Sequence, residues 1–188
     1  MGAMMRLGSE DGSVAFRNMV FDGARDNLEK DEHVSTICLV VARRDLATGQ
    51  ELDNPQMIMV SPDGSMGDPG QRDAFADAIA DVTVRSRAMA AALVVEAWTV
   101  VGDRRRTAMA LRWREEHGSL AFFPGRVEQV RVTWEHVATG AEQWAAPIIR
   151  NGSSTVCGPF VREPHGLWLG RFASLLSTES YGVPGAEA

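Results

Sequence analysis

The chain has 188 residues, 45% of them hydrophobic and 23% charged, with a formal net charge of −6. That length suits one domain with its own core, since a domain of about 150 residues buries roughly 70% of its unfolded surface without a metal or disulfide staple. The apolar share and modest charge exclude a wholly disordered chain, and no apolar run approaches the roughly 18–20 residues of a membrane helix.

Met1-Gly2-Ala3-Met4 reads as an expression scar before a native start at Met5, and residues 1–12 as a flexible N-terminus. The first helix is predicted over 14–31, where Phe16, Met19, Val20, Ala24 and Leu28 form one apolar stripe and Asp11 or Ser13 can cap its start. Residues 34–42, β-branched and almost continuously apolar, predict a strand buried on both faces. A turn at Thr48-Gly49 leads to a second strand over 56–60, its start limited by Pro55. The loop 61–70 ends in a helix start, with Asp68 as N-cap, Pro69 at the first helical position and Gln71 able to return the capping bond. This second helix is predicted to reach Met89, with Phe75, Ala78, Ile79 and Val82 on its stripe.

Residues 93–101 give another buried strand. Residues 102–126 read as a ragged hairpin or a long excursion. From Val127 onward Val130, Val132 and Trp134 alternate with Arg131, Thr133 and Glu135, a half-buried strand; Thr139-Gly140 turns it and 144–150 returns. Trp168, Phe172, Leu175 and Leu176 suggest a short terminal helix closing a single domain over 13–176, with a loose tail at 177–188. Leu46-Ala-Thr-Gly-Gln-Glu51 and Val137-Ala-Thr-Gly-Ala-Glu142 echo one another, which raises an internal duplication without establishing it. The expected class is α+β: a mostly antiparallel sheet with two main helices packed on one face.

Charge is unevenly placed, at −8 over residues 1–83, +4 over 84–131 and −2 over 132–188. The basic middle can pair with acidic parts of its own fold or of a second subunit, or bind an anion. Its densest part holds Arg104, Arg105, Arg106, Arg112 and Arg114 with the stacking ring of Trp113, the best nucleic-acid patch in the chain, although the net negative charge weakens any broad electrostatic binding. Glu96 interrupts an apolar strand, and a buried carboxylate needs a partner. Arg126, at the next strand start with Glu128, is the expected one, so Glu96 and Arg126 are the candidate catalytic pair.

His33, His117, His136 and His165 lack the spacing of a helical metal pair, and Cys38 and Cys157 form no Cys-x-x-Cys motif, so no metal is expected. Gly64-Ser-Met-Gly67 precedes a helix but lacks the lysine of a phosphate loop, and Gly152-Ser-Ser-Thr155 is no hydrolase elbow, so no cofactor is expected. Two distant cysteines fit a reduced, cytoplasmic protein.

Ala91-Ala-Leu-Val-Val-Glu-Ala-Trp98 followed by Phe123-Pro-Gly-Arg-Val-Glu128 resembles a group of uncharacterised bacterial and phage proteins. The resemblance covers about a third of the chain and implies no activity. Five Trp and nine Met exceed what one sheet and two helices need inside, and both residue types are enriched at interfaces. The functional expectation is therefore a binding or assembly module, homo-oligomeric, with a small enzyme using Glu96 as the alternative and a nucleic-acid-associated protein as the weaker one.

Overall fold

The computed structural model describes residues 10–163, 172 and 174–176. The order is α1 (Glu10–Asp31), β1 (Ile37–Arg44), β2 (Glu51–Val60), α2 (Pro69–Arg85), β3 (Ala90–Thr99), α3 (Arg104–His117), β4 (Val127–His136), β5 (Gly140–Asn151), β6 (Ser154–Cys157) and β7 (Val161–Glu163). The strands form one antiparallel sheet in the order β2-β1-β3-β4-β5-β6, with β7 also pairing β5. The α+β class and the antiparallel sheet are as read from the sequence. The predicted terminal helix falls mostly outside the described residues.

The helices do not share a face. Phe16, Val20, Ala24 and Leu28 of α1 pack on Val41, Ala92, Val94, Val132 and Trp134. Phe75 and Ile79 of α2 pack with Cys38, Val40, Ala91 and Leu93, which alternate with the first set along β1 and β3. The cause lies in those two strands. Residues Ala90–Val94 are buried without a break, and a strand apolar on both sides needs cover on both sides. One helix lies over each face.

Several boundaries differ from the sequence reading, β3 among them, which spans 90–99 instead of 93–101; three have clear local reasons. Helix α1 begins at Glu10, inside the stretch expected to be flexible. Helix α2 starts as predicted, Asp68 accepting from the backbone of Gly70 (2.7 Å) and Gln71 (3.3 Å), but stops at Arg85. Ala88 N–H donates to Thr83 O and Arg87 N–H to Val84 O, with Arg87 left-handed at φ 45°. This is a Schellman end whose left-handed residue is arginine instead of glycine, so Met89 leads into β3. Strand β2 runs through Pro55, tolerated because β2 is the sheet edge and its register with β1 slips between Ala42 and Arg44.

Candidate functional site

Strands β3 and β4 pair from Ala90↔His136 to Thr99↔Val127, and the whole segment 100–126 leaves the sheet between their ends. Two groups of side chains gather there. One is a charged joint on the α1 face of the sheet; the other is the excursion itself.

In the joint, Glu96 opposes Val130 and Trp98 opposes Glu128, which places all four on one face. Arg150 arrives from β5 and ties the group together. Its Nη2 donates to Glu96 Oε1 (3.3 Å) and Glu128 Oε1 (3.0 Å), its Nε to Glu128 Oε2 (2.8 Å), and its Nη1 to Glu32 O (2.7 Å) and Thr155 Oγ1 (3.3 Å). The other Glu96 oxygen accepts Val34 N–H at 3.0 Å, so the joint anchors the turn after α1 to the sheet. Burial and the adjoining Glu128 carboxylate push Glu96 above the ordinary glutamate range, whereas Arg150 holds Glu128 below it. Burial also opposes the shift at Glu128. The two acids thus share one hydrogen-bonded arrangement with Glu96 as the more readily protonated member.

The predicted Glu96–Arg126 pair does not form. Arg126 instead lies over the ring of Trp98, 4.6 Å from its centroid. Two residues after a proline and beside a glycine with φ 67°, Arg126 enters the strand from a turn, which carries its guanidinium out to the ring. The true partner, Arg150, escaped the sequence reading because its position depends on the register of β4 with β5.

The arginine-rich segment folds as α3. Asp103 caps it by accepting Arg106 N–H (2.8 Å), and Gly118, left-handed at φ 72°, ends it by donating to Arg114 O (2.8 Å). Neither a hairpin nor a single basic face results. At about 3.6 residues per turn, Arg105 and Arg112 share a side, Arg104 sits roughly a quarter turn away, and Arg114 points to the far side. Arg106 is turned inward, its Nη2 donating to Pro124 O (3.0 Å) and Gly125 O (3.1 Å). A Cβ at Gly102 or Gly125 would collide with that side chain, so the two glycines leave the channel through which Arg106 clamps the two ends of the excursion. Trp113 stacks on His117 (4.0 Å) and meets Phe123 edge-on (5.8 Å).

Between α3 and the Phe123–Pro124 turn lies a groove of about 630 Å³, lined by Val101, Met109, Trp113, Phe123 and Pro124 with Arg105 and Arg106 at its side. Around it Phe122 is 82% exposed, Val101 68% and Met109 55%. A smaller cavity beside α2 is lined by Ala76, Ile79 and Leu175, and neither cavity includes Glu96.

One further carboxylate was missed. The alternation along β4 puts Glu135 on its polar side, yet it is 2% exposed and accepts Leu175 N–H, Leu176 N–H and Ser174 Oγ–H. Its face looks polar in the strand pattern because residues about 40 positions further on supply both its cover and its donors. On the same face Arg131 pairs with Glu163 of β7.

No family model, curated protein or solved structure matches the chain. Among the described residues no cluster of three His, Cys, Asp or Glu side chains is placed to hold a metal, and no helix is long and apolar enough to cross a membrane. Both cysteines are buried and unpaired; burial pushes Cys38 up to about 12 and raises Cys157, which leaves neither as a thiolate near neutrality. The arrangement therefore offers a rigid sheet, a salt-bridged joint and an apolar surface carried on a helix away from the core.

Proposed function

We propose that the protein is an assembly module that associates with itself through the α3 excursion. The carrying observation is the placement of large apolar side chains: Val101, Met109, Leu111 and Phe122 are all exposed within the one segment that leaves the sheet, with Trp98 exposed at the strand end beside it. Exposed apolar patches of this kind mark contact surfaces. Other exposed apolar groups are smaller or sit at sheet edges: Met57 and Met59 on β2, and the cross-strand pair Ile149 and Val156 on β5 and β6.

The rival catalytic reading has less behind it, because Glu96 is occupied by Val34 N–H and Arg150 and faces neither cavity. The nucleic-acid reading is weakened by arginines distributed around α3 and by Arg106 being engaged with backbone carbonyls. Sedimentation velocity of the full chain at moderate salt tests the proposal. A dimer or larger species is expected at about 100 µM, where a micromolar contact is nearly saturated. A monomer at that concentration refutes it.

A further inference from the structure

We infer that α3 packs antiparallel against α3 of a second copy about a two-fold axis, with Arg105 facing Glu116 of the other chain. This deepens the self-association reading and rests on it. Arg105, Met109, Arg112 and Glu116 follow one another at four-, three- and four-residue steps, which places them on one stripe about 16 Å long beside the groove. All four are exposed. The ends of the stripe are complementary in charge when it is reversed. A two-fold axis passing between Ala110 and Leu111 sets Arg105 against Glu116 and lays the Arg112 stem across Met109, twice over.

The electrostatics of the isolated helix support the same pairing. The first turn of α3 carries three arginines and no acid, where the helix dipole favours acids. Neither Arg105 nor Glu116 takes part in an intramolecular ion pair among the described residues. An antiparallel copy brings a glutamate to the arginine-rich end and supplies both missing partners. It also carries the segment after α3 of the second chain to the groove mouth at Val101, so that Phe122, with its ring almost wholly exposed, enters the apolar groove of its neighbour. Knob and hole on the same surface are what a closed two-fold contact requires.

The test is a charge swap read by sedimentation equilibrium, with circular dichroism confirming that each exposed-site variant is folded. Arg105→Glu and Glu116→Arg, made singly, oppose like charges across the axis and should each weaken the dimer about tenfold or more. Together they restore opposite charges and should recover the wild-type constant to within about threefold. Phe122→Ser should weaken it without altering the swap. If the wild type dimerises and the three variants match it, the α3 pairing is overturned while self-association stands. If the double variant is no tighter than the singles, the reversed register is overturned. A wild-type monomer overturns both readings.

Discussion

The two glutamates of the joint carry opposite pH signatures. Burial and Glu128 raise the folded-state pKa of Glu96, so its contribution to stability is complete below the unfolded glutamate value of about 4.3 and is lost as pH rises through the folded value. Glu128, held low by Arg150, contributes above the unfolded value and loses that contribution as acid protonates it. Glu96→Gln keeps an acceptor for Val34 N–H and a donor for Glu128 while removing the ionisation. Its urea midpoint should therefore change less than the wild type's between pH 5 and pH 8; identical profiles would refute the assigned signs. Arg150 matters more than Arg126 in this account. Removing Arg150 strands two carboxylates and should cost roughly 1.5–3 kcal/mol, whereas Arg126→Ala loses a part-exposed ring contact and should cost about 0.5–1 kcal/mol. A double-mutant cycle on Arg126 and Glu96 should be additive within about 0.5 kcal/mol. Clear coupling between them would restore the pair expected from the sequence.

At the scale of elements, strands and caps were legible where a short run of residues determines them. The sequence predicts a buried strand over 93–101, whereas the run buried on both faces is Ala90–Val94, its alanine-rich start lacking the β-branched signal; Asp68-Pro69 announces a helix start. That same strand pattern already argued against two helices on one face, since one side of β1 and β3 would have been left bare. Helix α3 was obscured because the side chains it turns inward, Arg106 and Trp113, meet its own return loop instead of the sheet, which leaves the segment arginine-rich and weakly periodic. The end of α2 was misplaced because an arginine occupies the conformation that glycine usually signals. If α3 is an appendage, the sheet should survive its loss. Replacing residues 100–126 with Asn-Gly joins Thr99 to Val127 by a two-residue hairpin turn. The melting temperature should fall by no more than about 4 °C, equivalent to roughly 1 kcal/mol in a domain of this size. Loss of the folded state would show that the excursion belongs to the core.

For the whole molecule, the charge layout acquires a physical reading. The basic middle third is not a uniform anion surface: Arg131 pairs with Glu163, Arg87 with Glu51 and Arg85 with Asp81, all inside the chain. What remains outside such pairs is concentrated on α3, alongside the exposed apolar groups. Of the residues proposed to make the contact, Arg105 and Arg112 were visible in the sequence as part of an arginine patch, but the sidedness of that patch was not, because it depends on Arg106 being drawn inward to Pro124 and Gly125. The most direct measurement is the mass in solution of the full chain and of the Asn-Gly hairpin variant, by light scattering at about 100 µM and moderate salt, where a micromolar contact is nearly saturated. The account predicts twice the chain mass for the wild type and a folded monomer for the variant. A monomeric wild type, or a variant that still dimerises, would contradict it.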